Sequence, residues 1–183
     1  MIETKEDLVE YMNADNSYFL KQSKWSRFIM KITKDPESQI YKYTRYLRKQ
    51  EYYGNTCKGN KLKVLLHLYY QRRKNVYGNR LGISIEENSF GKGLTIYHHG
   101  TIIVNSNVRA GENCKLHGNN CIGNNGKSYD APVIGDNVDI GFGASIIGGI
   151  KIANNIKIGA GAVVTKSFLE ENITLVGIPA RKL

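Results

Sequence analysis

The chain has 183 residues, 41% of them hydrophobic, which suits one globular domain with a small appendage. Its formal net charge of +10 is uneven: residues 1–80 hold 17 Lys/Arg against 8 Asp/Glu, and residues 81–183 hold 9 against 8. No apolar run approaches the ~20 residues that span a bilayer, the polar start MIETKEDLVE is unlike a signal peptide, and no nucleic-acid-binding motif accompanies the basic charge. A cytoplasmic protein without a nucleic-acid partner is expected. The basic N-terminal part is a solvated helix surface in one reading and a surface attracted to anionic membrane or substrate in the other. Cys57, Cys114 and Cys121 show no CxxC spacing, so reduced thiols are expected.

Residues 1–80 carry helical patterns. One helix is predicted over Ile2 to Tyr18, with Leu8, Val9 and Met12 in a polar frame. A second runs from Ser23 to Thr33 with Trp25, Phe28, Ile29 and Ile32 on one face, ended by the KDP at 34–36. A third covers Ser38 to Glu51. Gly54, Asn55, Gly59 and Asn60 mark a loop. A fourth covers Lys61 to Asn75, with Arg72, Arg73 and Lys74 complementing the dipole of its last turn. The many tyrosines here read as packing surface.

From about Ile83 the chain becomes turn-rich. Over 134–164 an aliphatic residue returns every sixth position: Ile134, Ile140, Ile146, Ile152, Ile158, Val164. A second, usually smaller apolar residue follows four places later: Val138, Ala144, Ile150, Ile156 and Ala162. A six-residue period is a solenoid signal, and three hexads make one triangular turn of a β-helix. Traced backwards, the register meets Ile122, Leu116, Ala110 and Val104, and the next step lands on His98. Cys114 falls on a core position. Asn120 does too, and a polar group there costs free energy unless hydrogen-bonded. Between Ile122 and Ile134 the pattern fails, and GNNGKSYDAPV reads as a loop extruded from a corner. Residues 165–183 read as a closing tail.

Several stretches resemble the hexapeptide-repeat acetyltransferases with a left-handed β-helix, most closely the serine acetyltransferase-like group. They are GISI at 82–85, TIYHHGTIIVN at 95–105, GNNGKS at 123–128, IGAGAVVTKS at 158–167 and VGIPARKL at 176–183. The helical segments LRKQEYY through YYQRRKN look like those of surface-polysaccharide O-acetyltransferases. The resemblance implies a mainly β fold: a left-handed parallel β-helix over 81–183 with a closing tail, preceded by a short α-helical region over 1–80. It also implies a homotrimer with active sites between solenoids, and acetyl-CoA as co-substrate with no metal.

The resemblance makes His98 the general base, with His99 as its rival. An 18-residue spacing predicts that His99 and His117 lie one above the other; His117 contacts the acceptor in one reading and is a surface-stacked residue in the other. Asn124, Phe142 and Ala160 are also spaced by 18 and are expected to stack where the pantetheine arm lies, Phe142 narrowing the groove. The backbone of Gly159, Ala160, Gly161, Val164 and Thr165 would pair with pantetheine amides, and Lys166, Arg181 and Lys182 would meet the phosphates.

Three departures bear on the acceptor. Ser84 stands where the family has an Asp that orients the catalytic His. YDAP keeps Asp130 but lacks the Arg–His pair of the family's DRHP segment. The sequence stops at Leu183, without the longer tail that docks cysteine synthase, so that docking is not expected. These point first to a sugar hydroxyl of a surface-polysaccharide precursor, with serine O-acetylation as the alternative. A further alternative is a non-catalytic or zinc-binding β-helix, raised by His98, His99 and His117.

Overall fold

The computed structural model describes residues 1–183. Five helices come first: α1 (Lys5–Ala14), α2 (Ser17–Lys21), α3 (Lys24–Ile32), α4 (Pro36–Thr56) and α5 (Lys61–Leu81). Thr4 starts α1 with a capping box: its hydroxyl accepts from the Asp7 N–H at 3.0 Å, and the Asp7 carboxylate accepts from the Thr4 N–H at 2.8 Å. The single helix expected over Ile2 to Tyr18 is broken after Ala14. Asp15 is extended and Asn16 takes a left-handed φ of 46°. Both side chains serve the neighbouring β-domain instead. Asp15 accepts from the Leu94 N–H at 2.9 Å and Asn16 from the Ile96 N–H at 3.0 Å.

Pro36 opens α4 at its first turn, where the missing N–H costs nothing, and the Asp35 carboxylate caps it. The third and fourth helices are longer than predicted: α4 continues to Thr56, past Gly54 and Asn55, and α5 continues to Leu81. Arg72, Arg73 and Lys74 are therefore mid-helix. Lys74 is buried and donates to the Ile85 carbonyl at 3.0 Å. Gly78 allows this continuation, because a Cβ there would collide with the Ile83 carbonyl. The tyrosines do pack: Tyr53 stacks on Tyr70 at 5.4 Å, and Tyr46 meets Tyr77 at 5.4 Å, across the α4/α5 seam.

The rest is a left-handed parallel β-helix of three sheets. The first sheet stacks β1 (Ile83–Ile85), β3 (Ile102–Val104), β6 (Cys121–Gly123), β9 (Ser145–Ile147) and β12 (Val163–Val164). The second stacks β4 (Arg109–Ala110), β7 (Val133–Ile134) and β10 (Lys151–Ile152). The third stacks β2 (Thr95–Ile96), β5 (Lys115–Leu116), β8 (Asp139–Ile140), β11 (Lys157–Ile158) and β13 (Thr174–Val176), with β14 (Arg181–Lys182) antiparallel at its end. The tail thus adds strands to the solenoid. The aliphatic residues of 134–164 point inward as their period requires, and one continuous core runs from Ile40 and Leu47 of α4 to Ala180. At one corner Asn113, Asn137 and Asn155 all take left-handed φ of 56–58°, and their side-chain amides hydrogen-bond in a ladder.

Two departures from the hexad count decide which residues meet. Val163 pairs with Ser145, 18 residues away, but Ser145 pairs with Cys121 and Asp139 with Lys115, both 24 away. The segment after β6 therefore adds six residues to one coil and projects as a loop. Earlier, Ile96 pairs with Leu116 while Val104 pairs with Ile122. The corner between Ile96 and Val104 is thus eight residues against six in the next coil, two residues longer. His98 and His99 sit on that lengthened corner and are exposed. His98 is not a core position of the hexad register; Ile96 is the inward residue of its coil.

Candidate active site

The lengthened corner heads a ladder down one edge of the prism. Continuing the pairing of Ile96, Leu116, Ile140 and Ile158 by two residues places His98 over Gly118, then Phe142, then Ala160. Three coil steps at ~4.8 Å separate His98 from Ala160 by roughly 14 Å. Gly118 has a φ of 115°, and a Cβ built there lies 3.5 Å from the His98 Cβ and 3.2 Å from the Phe142 ring. Glycine is what leaves a notch between the imidazole and that ring. Phe142 is 49% exposed, so its face forms the outer wall below the notch.

The same count corrects two expected stackings. Asn124 does not lie over Phe142. The six-residue insertion pairs Gly123 with Ile147, so Asn124 falls level with Gly148 at the next corner. Its carboxamide accepts from the Gly126 N–H in a local turn. Nor does His99 lie over His117, because the lengthened corner makes that step 20 residues. His117 packs instead on Tyr97, ring centroids 4.7 Å apart, and its Nε2 is 2.7 Å from Asp139 Oδ1.

His98 lines a hollow with Tyr97 and His99 on one side and Asp35, Pro36 and Glu37 on the other. Neither His98 nor Ser84 makes a side-chain hydrogen bond within the chain, and Ser84 is the outward residue of β1. Glu37 brings a carboxylate into the hollow, with a buried Oε2 that has no hydrogen-bond partner. In the sequence the KDP at 34–36 reads only as the end of a helix; the DPE at 35–37, following a basic apolar helix, is the local signal. His98, His99 and His117 do not converge into a metal-ligand group.

The remaining expected residues are spread over two corners flanking the first sheet, the core, the end of the third sheet and the inserted loop. Gly159, Ala160 and Gly161 lie on the His98 edge. Thr165 and Lys166 follow β12 at the next corner, level with Ile147 and Gly148. Val164 itself faces the core. The Lys166 ammonium lies 5.4 Å from the Phe168 ring. Arg181 and Lys182 form β14 beside the third sheet, and Lys182 is paired with Glu170. Asp130 is exposed in the inserted loop, accepting from the Ser128 hydroxyl at 3.1 Å.

Asn120 is the polar exception in the core, and its bonds explain it. Its amide donates to the Gly141 carbonyl at 2.8 Å, and its oxygen accepts from the Gly118 N–H at 3.0 Å. It clamps the backbone beneath the notch. Cys114 is a core residue whose thiol is pushed up to about 12 by burial. Missed in the sequence altogether was Arg48, fully buried against Asp15 at 2.7 Å and Glu51 at 2.9 Å. It also donates to the carbonyls of Phe90 and Gly91, which ties the helices to the first coil.

No family model matches the chain. It is 31% identical over 126 residues to the serine acetyltransferase of Synechococcus elongatus, covering 63% of this chain and 51% of that one. The chain thus spans about half the length of that relative. Among solved structures, soybean serine acetyltransferase complexed with serine superposes with a TM-score of 0.71 at 25% identity, covering 98% of this chain and 70% of the other. A serine acetyltransferase in complex with CoA superposes with a TM-score of 0.60 at 25% identity, covering 79% and 57%. These names favour the serine reading, placed second in the sequence, over the polysaccharide reading placed first. In sequence over most of its length, and in fold over nearly all of it, the chain is similar to the serine acetyltransferases.

Proposed function

We propose that the protein is an acetyl-CoA-dependent O-acetyltransferase, with L-serine as the acceptor that the relatives support best. The observation that carries it is the edge ladder. His98 heads a column that continues through the buried Gly118 and the exposed Phe142 to the Gly159–Gly161 backbone. An acetyl thioester laid along that edge brings its carbonyl toward the notch. A neutral His98 imidazole takes the proton of the acceptor hydroxyl as the oxygen attacks that carbonyl, and the CoA thiolate leaves. Backbone N–H groups of the corner stabilise the oxyanion. The edge is open to solvent on one side of a single chain, which suits a homotrimer closing each groove with a neighbouring solenoid.

A second acceptor class is favoured by specific residues. Ser84 cannot carry the negative charge that would support a protonated imidazole. The loop Tyr129-Asp130-Ala131-Pro132 offers a carboxylate and no cation to a serine carboxylate. A sugar hydroxyl needs no such cation.

A thiol-release assay with acetyl-CoA separates the readings. Turnover on L-serine supports the first. Turnover on glycan precursors without turnover on serine transfers the assignment to the second. No release with either acceptor class sinks the acetyltransferase reading. His98→Ala lowers turnover by roughly 10²–10⁴-fold while acetyl-CoA binding persists; if His99→Ala is the crippling change, the base is misassigned.

A further inference from the structure

The helix α3 is packed the wrong way round for a soluble helix. Its more polar side, with Ser26 and Met30, faces the protein; the Ser38 hydroxyl at the start of α4 bonds the Met30 carbonyl at 3.0 Å. Its apolar side faces out: Trp25 is 70% exposed, Phe28 51%, Ile29 40% and Ile32 62%. These four are spaced i, i+3, i+4, i+7 and form one stripe, on which the Trp25 and Phe28 rings stack at 5.7 Å. An apolar stripe of this kind on a surface marks an interaction site.

The charges around the stripe identify what covers it. Lys21, Lys24, Arg27, Lys31 and Lys34 lie in or beside α3, and no Asp or Glu occurs from residue 21 to residue 34. A second copy presenting the same stripe would set these cations against one another with no counter-charge. An anionic surface neutralises them while its apolar layer receives the aromatic stripe. No helix of the chain is long and apolar enough to cross a membrane, so the contact is peripheral.

We propose that α3 docks the protein on an anionic lipid surface, Trp25, Phe28 and Ile32 entering the headgroup–acyl boundary and the flanking cations holding the headgroups. The turn that follows α3, Asp35–Glu37, lines the hollow beside His98. Docking therefore brings that hollow to the lipid surface. The proposal stands on the helix alone and does not require the acetyltransferase reading.

Trp25 is the single tryptophan of the chain, so its emission reports this site alone. With vesicles of phosphatidylcholine containing phosphatidylglycerol, the protein sediments with the lipid and its emission shifts to the blue. With phosphatidylcholine alone neither occurs, and about 1 M salt, which shortens the screening length to ~3 Å, reverses the binding. Lys24→Gln with Lys31→Gln weakens vesicle binding by roughly tenfold or more. Phe28→Ser with Ile32→Ser removes the blue shift, and since both residues are exposed the far-UV circular dichroism is unchanged. Unchanged emission and no sedimentation with the anionic vesicles overturns the proposal, as does a variant that binds like the parent. A blue shift that grows with protein concentration in the absence of lipid also overturns it, because a second copy then covers the stripe.

Discussion

Replacing Arg48 with Met isolates the contact that joins the helices to the solenoid. The guanidinium is fully buried and makes five hydrogen bonds: two to Asp15, one to Glu51, and one each to the carbonyls of Phe90 and Gly91. Methionine keeps most of the volume and supplies no donor. Two carboxylates and two carbonyls then lose their partner in a dry site. Removing one side of a buried ion pair costs about 3–5 kcal/mol, because the charge left behind is uncompensated. For a chain of this length each kcal/mol lowers Tm by roughly 2–4 °C, so the variant melts roughly 6–20 °C below the parent.

The sign of the pH dependence follows from Glu51. Burial holds its folded-state pKa above the ordinary 4.5, against the lowering influence of Arg48. A carboxylate raised in this way contributes stability that is full below its unfolded pKa and is lost as pH rises through the folded one. Without Arg48 the carboxylate rises further, so the deficit of Arg48→Met is smaller near about pH 5 than near about pH 8. Adding Glu51→Gln removes one stranded charge yet keeps an acceptor for the Asn88 N–H, now held at 2.8 Å. It restores about 1–2 kcal/mol of the loss. Thermal and urea melts of the three proteins at the two pH values decide it. An Arg48→Met loss under about 1 kcal/mol, or no recovery in the double variant, would refute the view that this ion cluster anchors the helices.

Two further outcomes are expected. Phe142→Ala opens the floor of the notch, so the ratio of propionyl-CoA to acetyl-CoA turnover rises by roughly tenfold or more; an unchanged ratio means the ring does not face the acyl group. In the folded protein a thiol reagent modifies the exposed Cys121 and spares Cys114, whose buried thiol is pushed up to about 12, until denaturant is added; modification of Cys114 at the rate of Cys121 counts against the packed core described here.

The solenoid was legible because its signal is short-range and repeated: each of Ile134 to Val164 states the same inward position. Its stacking partners were less legible, because pairing depends on the total residue count between coils. Six residues inserted after Gly123 move Asn124 away from Phe142 and put Gly118 there instead, although a spacing of 18 looks the same on either side of the insertion. Two residues added between Ile96 and Val104 shift His117 from beneath His99 to beneath Tyr97. The reading of His98 as the base rests on the resemblance in TIYHHG, because the hexad register assigned it to the wrong environment. Arg48 left no local trace. Its i+3 partner Glu51 looks like an ordinary helix-surface pair, the other partners lie 33 residues before it and 42 to 43 after it, and the helix predicted over Ile2 to Tyr18 hid the break that frees Asp15. The exposed stripe of α3 was legible as a helix face, but its direction was not. Periodicity reports that Trp25, Phe28, Ile29 and Ile32 share a side. Whether that side meets the protein or the outside depends on what α4 offers to pack against, and the Met30 carbonyl is where Ser38 binds.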